Sequence, residues 1–131
     1  MRDIIIPVDF SETSLNAARY GAAMLSGKPN NRVFLYTMFR EEEDAQISEQ
    51  YLQSLKAEME QTGVTNIETI KELGDDFIDC LSRLAHQKNA ELVIMGITEK
   101  EEWRQFFSTS NTIKMAEENI CPVMIIPQTA K

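Results

Sequence analysis

Leu92-Val93-Ile94-Met95-Gly96 is the stretch of sequence that decides the fold. Four consecutive apolar residues without polar alternation are typical of a strand buried on both faces, as in a parallel sheet. A loop follows Gly96, and then the pattern predicts a helix from about Ser110 to Glu118 and a final strand from Val123 to Ile126. In such sheets ligands bind beyond the carboxyl ends of the strands, and phosphates bind at helix N-termini. The loop after Gly96 is therefore where a function is expected.

The preceding sequence repeats this alternation of strand and helix. Helix-length connections between buried strands require a parallel sheet that is covered by helices on both faces and connected right-handedly. The order β-α-β-α-β-α-β-α-β therefore predicts one α/β domain over residues 1–131, a three-layer α/β/α open sheet of five parallel strands. The predicted strands are Asp3 to Val8, Arg32 to Met38, Asn66 to Leu73, Glu91 to Met95 and Val123 to Ile126.

Cap and turn residues set the predicted bounds of the helices. Ser11-Glu12-Thr13-Ser14 supplies N-cap candidates for the first helix, and Gly63 ends the second. Gly74-Asp75-Asp76 is a turn and cap before the third. An acidic run at 40–44 is expected to be the solvated start of the second helix. That helix is predicted to bury one apolar stripe, formed by Ile47, Tyr51, Leu52, Leu55 and Met59.

The composition limits the classes of partner. The chain has 131 residues, 43% of them hydrophobic, and a formal net charge of −8, which is typical of one soluble globular domain. The acidic balance argues against nucleic acid and anionic membranes, since both require clustered Lys and Arg. No signal peptide and no apolar run of membrane-spanning length is visible. Cys80 and Cys121 form no spaced framework, so a reducing cytoplasmic setting is expected.

Four motifs, taken together with their order and spacing, point to a known family. They are Ile5-Ile6-Pro7-Val8-Asp9-Phe10-Ser11, Leu92-Val93-Ile94-Met95-Gly96, Ser110-Asn111-Thr112 and Cys121-Pro122-Val123. In these motifs, and over nearly its whole length, the chain resembles a single-domain universal stress protein. The resemblance implies the adenine nucleotide alpha hydrolase-like fold of that family and a homodimer built on the last strand, Val123 to Ile126. It also implies ATP binding, which many members of the family show.

The phosphate loop departs from the family's pattern of three glycines. Gly96 matches the first glycine and Ser110 matches the closing hydroxyl, but Glu99 and Thr109 stand where the other two are expected. Glycine lets a loop adopt positive φ and lets its N–H groups approach phosphate oxygens closely. A carboxylate about 5 Å from one phosphate charge costs roughly 3 kcal/mol at an effective dielectric near 20. We therefore expect the loop to have lost its ATP geometry, so that no cofactor is predicted.

The resemblance nevertheless places a nucleotide pocket on six residues. Asp9 is the residue that the family uses near the nucleoside, and a carboxylate directly after a strand is equally typical of a local cap. The hydroxyls of residues 108–110 cap the last helix in one interpretation and hold an anion in the other. The candidate pocket is formed by Pro7, Val8, Asp9, Gly96, Ser110 and Asn111.

The remaining candidate residues, a histidine and three aromatic residues, are less specific for any one function. His86 is the only histidine and is expected on a solvated helix face, without partners for a metal or a catalytic triad. Trp103, Phe106 and Phe107 share one face if their segment is helical. They either plug the pocket where phosphates would lie or form a partner surface.

The predicted function is therefore a non-catalytic stress-response or regulatory domain, homodimeric through its last strand. The alternative is a nucleotide-binding protein with an altered loop, which would favour AMP over ATP because AMP brings fewer charges near Glu99. Two other classes were considered, a nucleotide hydrolase and a phosphorylatable receiver domain. The sequence lacks the residues that the chemistry of either class requires.

Overall fold

Strands and helices alternate along the part of the chain that the computed structural model describes, residues 2–97 and 109–127. The strands are β1 (Arg2–Pro7), β2 (Asn31–Phe39), β3 (Ile67–Leu73), β4 (Leu92–Ile97) and β5 (Val123–Pro127). The helices are α1 (Glu12–Leu25), α2 (Ala45–Thr62), α3 (Phe77–Gln87) and α4 (Thr109–Glu117), and a 3₁₀ turn, Glu42–Asp44, leads into α2. The predicted order of elements is confirmed, and most ends differ from the prediction by one or two residues. The acidic run at 40–44 is an exception, because its last three residues form the 3₁₀ turn and α2 itself begins only at Ala45.

The five strands form one parallel sheet in the order β3-β2-β1-β4-β5. Ile5 of β1 lies beside Phe34 of β2 on one side and Val93 of β4 on the other. β2 and β3 follow β1 on one side of the sheet, and β4 and β5 lie on its other side. The direction in which successive strands are added therefore reverses between β3 and β4. The boundary between β1 and β4 is therefore the topological switch point, where α/β sheets bind their ligands.

Two separate cores cover the two faces of the sheet. Because successive side chains of a strand point to opposite faces, Ile4 and Ile6 join the core under α1 and α2, whereas Ile5 joins the core under α3 and α4. Leu52 and Met59 of α2 are 0% and 1% exposed in the first core. This is the predicted three-layer arrangement.

The predicted apolar stripe of α2 is wrong at two of its five residues. Ile47 is 46% exposed and Tyr51 is 50% exposed. The buried face instead consists of Ser48, Leu52, Leu55 and Met59, spaced by four, three and four residues. Ile47 and Tyr51 each precede a buried residue by one position, and a helix turns by about 100° per residue, so they are rotated away from the sheet.

The helix ends follow the predicted chemistry. The Ser11 hydroxyl caps α1 by accepting from the Ser14 N–H at 3.3 Å, and the Asp76 carboxylate caps α3 by accepting from the Asp79 N–H at 3.1 Å. Gly63 ends α2 with φ of 117°, in the left-handed region that glycine adopts at low cost. Within the described ranges, no helix combines the length and the hydrophobicity of a membrane span.

Candidate functional site

The candidate site lies where β1 and β4 end, at the switch point of the sheet. The loop after β1, residues 8–11, forms one side of this edge, and the end of β4 with the start of α4 forms the other. The predicted pocket residues fall into these two groups.

Asp9 shapes the turn that leads from β1 into α1. Its carboxylate oxygen Oδ1 accepts from the Ser11 N–H at 3.0 Å and from the Ser11 hydroxyl at 2.5 Å. The Asp9 N–H donates to the Ser14 hydroxyl at 3.2 Å. Asp9 is therefore part of the capping structure of α1, which is one of its two predicted roles, and its side chain remains half-buried at the edge of the sheet.

Phe10 is held in an unusual conformation beside Asp9. Its φ of 64° lies in the left-handed region, which a bulky residue rarely occupies. Its ring lies 5.0 Å from the ring of Tyr51 on α2, with the two planes tilted by 37°. This separation lies within the range of favourable aromatic pairs. The pair links the loop after β1 to the exposed flank of α2.

A cavity of about 300 Å³ opens next to this ring pair, between the ends of β1 and β2 and the start of α2. Its size lies at the lower end of small-molecule sites. Among the described residues that line it, two carry carboxyl groups, Asp9 and Asp44. The lining also contains Phe10, Thr37, Met38, Phe39, Ile47, Ser48 and Tyr51.

Pro7 and Val8 lie behind this cavity and are buried. The Val8 N–H donates to the Tyr36 carbonyl at 2.7 Å, and the Val8 carbonyl accepts from the Thr37 hydroxyl, also at 2.7 Å. Val8 is 0% exposed and belongs to the core under α1 and α2. In the described structure these two predicted pocket residues serve the packing of the sheet.

Gly96 is required by the packing of α1 on β4. A Cβ atom at this position would lie 2.7 Å from the backbone oxygen of Thr13 and 2.8 Å from its Cγ2 methyl. No ordinary contact is that short, so a side chain here would force the first turn of α1 away from the sheet. The packing of α1 on β4 thus explains why position 96 is a glycine, without a ligand.

The start of α4 is tied to the same strand. The buried Thr112 hydroxyl donates to the Gly96 carbonyl at 3.4 Å, and Asn111 is half-buried one residue earlier. The structure thus brings Gly96 close to α4, while Asp9 faces the cavity on the β2 side. The predictions for Glu99, Trp103, Phe106, Phe107 and Ser108, and for the side chains of Thr109 and Ser110, lie outside the described residues.

In the described part of this edge, the side-chain hydroxyls form structural hydrogen bonds. The hydroxyls of Ser11, Ser14 and Thr37 are engaged in the capping of α1 and in a bond to Val8. His86 is exposed on α3, as the sequence predicts. Within residues 2–97 and 109–127, no group of three or more His, Cys, Asp or Glu side chains is placed to hold a metal ion.

A second polar cluster lies inside the opposite layer, between β2, β3 and α3. The Tyr36 hydroxyl donates to Glu72 at 3.1 Å, and Tyr36 itself is 0% exposed. Burial, reinforced by Glu72, raises the pKa of Tyr36 far above its usual range. Burial likewise raises the pKa of the neighbouring Cys80 thiol. Both groups therefore stay protonated at neutral pH and act as part of the core.

Sequence reasoning missed the α2 side of the cavity. Tyr51 and Ile47 were interpreted as core residues because they are apolar at helical spacing. The signal that separates them is the competing spacing of Ser48, Leu52 and Leu55, which places a serine in the buried face. Phe10 carries no signal for its positive φ, because only Gly, Asn and Asp commonly indicate that conformation.

Comparison with known proteins gives a consistent assignment. A family model described as the universal stress protein family matches residues 1–127. A solved universal stress protein in complex with cAMP is similar over 98% of each chain, with a TM-score of 0.76 and 18% identity. A universal stress protein from Archaeoglobus fulgidus has a TM-score of 0.78 at 16% identity, over 96% of this chain and 98% of that one. A structure from the same organism in complex with dAMP has a TM-score of 0.72 at 19% identity, with the same coverage. The comparison with curated proteins found no match.

Proposed function

The chain belongs to the universal stress protein family, and from this premise we propose that it is a non-catalytic regulatory domain that acts as a homodimer joined through β5. The observation that carries the proposal is the contrast between the two open edges of the sheet. The first edge strand is β3 and the second is β5.

The β3 edge is protected by charge. Glu68 and Lys71 are exposed along it, and they form ion pairs with Arg32 and Glu49 at 3.8 and 3.6 Å. Charged side chains on an edge strand discourage pairing with another chain. This edge is therefore unsuited to assembly.

The β5 edge carries no charge over its whole length, Val123–Pro127. Ile125 is 39% exposed, and Ile113 and Ile120, on the segment that leads into β5, are 48% and 37% exposed. An apolar edge with exposed isoleucines favours pairing with a second copy. A two-fold axis would use the same edge of both subunits, so the assembly closes as a dimer.

A non-catalytic role is supported by the occupation of the hydroxyl groups at the switch point. Ser11, Ser14 and Thr37 serve capping and backbone bonds, and none of these bonds pairs a hydroxyl with a histidine as a general base would require. The proposal includes a cytoplasmic location, because Cys80 and Cys121 are free thiols, as is usual in a reducing compartment.

Light scattering after gel filtration tests the dimer. At tens of micromolar we expect the wild-type mass to be twice that of one chain, and Ile125→Lys to give a monomer because it places a charge on the pairing edge. Leu73→Lys is the matched control, since Leu73 is 48% exposed on the opposite edge strand, and it should remain dimeric. A monomeric wild type, or equal behaviour of the two variants, would refute the proposal.

A second candidate function is binding of an adenine mononucleotide at the carboxyl end of β1, on the β2 side of the switch point. It is favoured by the cavity of about 300 Å³ beside Asp9 and by the similar structures solved with cAMP and with dAMP. We expect AMP to bind more tightly than ATP, since Glu99 and Thr109 replace the glycines of the phosphate loop. Calorimetric titration with AMP and ATP, with and without Mg²⁺, tests this function. No heat from either nucleotide at 1 mM, with folding intact by circular dichroism, would exclude it.

A further inference from the structure

A groove between the outer sides of α1 and α2 is lined by Leu15, Tyr51 and Leu55. We propose that this α1–α2 groove docks an amphipathic helix of a partner protein that carries Lys and Arg beside its apolar face. The inference rests on the proposed regulatory role, for which it names a class of partner, and it does not require the β5 dimer.

One flank of α2 is apolar without contacting the core. Ile47 and Tyr51 are 46% and 50% exposed, and they lie four residues apart, on the same side of the helix. Glu58 continues this flank at the next helical spacing. The flank faces α1, because Tyr51 and Glu58 line one cavity together with Leu15 of α1. Exposed apolar side chains at helical spacing beside a groove are typical of a surface that a partner helix covers.

The α1–α2 groove has a volume of about 300 Å³, and two contacts bound it. At one end the Phe10 and Tyr51 rings lie 5.0 Å apart. At the other end the Arg19 Nε donates to Glu58 at 2.8 Å and joins α1 to α2. Tyr51 and Glu58 are seven residues apart, about 10 Å along the axis of α2. The buried Leu55 lies between them, so this length gives room for one or two apolar side chains of a partner.

Exposed acidic side chains surround the end of the groove where both helices begin. Glu12, the first residue of α1, lines a neighbouring depression together with Leu15. Asp44, directly before α2, lines another together with Tyr51. All four residues at 41–44 are acidic and exposed. The salt bridges between described residues include neither Glu12 nor any residue of 41–44.

Positive groups near this end offset only part of that charge. Arg19 lines the groove, but its charge is already matched by Glu58. Arg40 precedes the acidic run, and each helix start contributes about half a positive charge. Against these groups stand five exposed acidic side chains, Glu12 and those at 41–44. The mouth of the groove is therefore negative.

This charge identifies the occupant. A second copy of the chain has the same formal net charge of −8 and would bring like charge to the groove. Nucleic acid and anionic membranes would be repelled for the same reason. A helix with Lys and Arg beside an apolar face matches both the exposed apolar flank and the negative mouth.

Fluorescence anisotropy of two labelled synthetic peptides, titrated with the full chain, tests the charge selection. One peptide carries Leu at helical spacing and Lys at the other positions, and the second carries Glu in place of every Lys. We expect the Leu/Lys peptide to bind at least about tenfold more tightly at low salt, and its affinity to fall as salt is added. Equal affinities of the two peptides, or no binding of the Leu/Lys peptide at about 1 mM, would overturn the proposal.

A pair of apolar variants locates the site. Tyr51→Ser removes the central ring and should weaken the Leu/Lys peptide by about five- to tenfold. Leu73→Ser is the matched control, since Leu73 is 48% exposed on β3, and it should leave the affinity unchanged. Circular dichroism checks that both proteins are folded. Equal affinities of the two variants would show that the peptide binds elsewhere and would overturn the docking site.

Charge variants separate the groove from the net charge of the protein. Glu12→Gln combined with Asp44→Asn should weaken the Leu/Lys peptide by about three- to tenfold at low salt. The control combines Glu60→Gln with Glu118→Gln, two exposed acidic residues away from the groove, and should have little effect. Equal effects of the two pairs would mean that the peptide responds only to net charge, which would refute the site. Light scattering of the same samples reports the β5 dimer separately, so either proposal can fail while the other stands.

Discussion

Replacing Gly96 by alanine directly tests the packing that forms the candidate site. The added Cβ would lie 2.7 Å from the Thr13 backbone oxygen, and an ordinary contact begins near 3.4 Å. The first turn of α1 would therefore have to move by about 0.7 Å relative to β4. A helix backbone cannot yield as easily as the end of a flexible side chain, so the strain spreads into the core under α1.

The expected magnitude follows from two opposing effects. Overpacking of a well-packed core costs about 1–3 kcal/mol. The loss of glycine's freedom in the unfolded chain offsets about 0.4–1 kcal/mol of this cost. We expect Gly96→Ala to lower the free energy of unfolding by about 1–2 kcal/mol, which corresponds to a melting temperature lower by about 3–10 °C.

Urea unfolding followed by circular dichroism measures this change, and Gly21→Ala is the matched control. At Gly21, in the middle of α1, a Cβ would lie 3.2 and 3.3 Å from the Cδ1 ends of Ile6 and Ile94, and 3.8 Å from the Cγ2 atom of Ile94. Alanine is favoured over glycine in a helix by about 1 kcal/mol. The control should therefore be neutral or stabilising, although it too adds one methyl group to the same helix–sheet interface.

A double-mutant cycle identifies the responsible atom. Thr13→Ser removes the Cγ2 methyl, which is 2.8 Å from the added Cβ, but it leaves the carbonyl oxygen at 2.7 Å. Thr13→Ser should thus recover less than half of the loss caused by Gly96→Ala. A Gly96→Ala protein as stable as the wild type, to within about 0.3 kcal/mol, would refute the close approach of α1 to β4.

Three further predictions concern a surface ion pair, a helix cap and the thiols. Glu58→Gln removes the negative charge from the acceptor of the 2.8 Å bond from Arg19 and should cost about 0.2–1 kcal/mol at pH 7, since both side chains are about half exposed. Arg19 holds the pKa of Glu58 below its ordinary 4.5, so this contribution is complete above that pH and is lost as the pH falls through the lower folded pKa. The urea unfolding curves of the two proteins should therefore converge once the pH is below the folded pKa of Glu58. Ser11→Ala removes the N-cap of α1 and should cost about 0.5–2 kcal/mol in the same assay, with no loss expected only if the cap is absent. Burial raises the pKa of Cys80 and of Cys121. At pH 8 both thiols should therefore react with Ellman's reagent about tenfold more slowly in the native state than in urea, and Cys80 should be the slower of the two. A fast reaction of Cys80 in the native state would contradict its burial.

The sheet and its helices were predictable from the sequence because strongly local signals agree with the global fold. The β1 segment Ile4-Ile5-Ile6 has no polar alternation, since both of its faces are covered by helices. Ser11 and Asp76 are cap residues at the helix starts that the structure shows. The position of β5 at an open edge, which its proposed pairing requires, is also observed.

The geometry of the site was less predictable, because it depends on contacts that are distant in sequence. The cavity joins Asp9 to Tyr51 of α2, and only the rotation of α2 about its axis decides whether Tyr51 faces the core or the cavity. Gly96 was predicted as a pocket residue because it matches the first glycine of the family's phosphate loop, and the structure adds a close approach to Thr13 that no local pattern indicates. The turn that contains Asp9 also places Phe10 at positive φ, which the residue type of Phe10 does not indicate.

The central position of β1 also affects how the chain folds during synthesis. β1 pairs with β2 early, but its other edge waits for β4, which is completed only at Ile97. At about 5–20 residues per second, roughly one to five seconds pass between completion of β3 at Leu73 and completion of β4. Throughout this interval the edge of β1 that will later pair with β4, formed by Ile4-Ile5-Ile6, has no strand beside it. A ribosome that stalls before Leu92 would thus leave on the nascent chain an apolar strand edge without its β4 partner, where chaperones or a neighbouring nascent chain can bind.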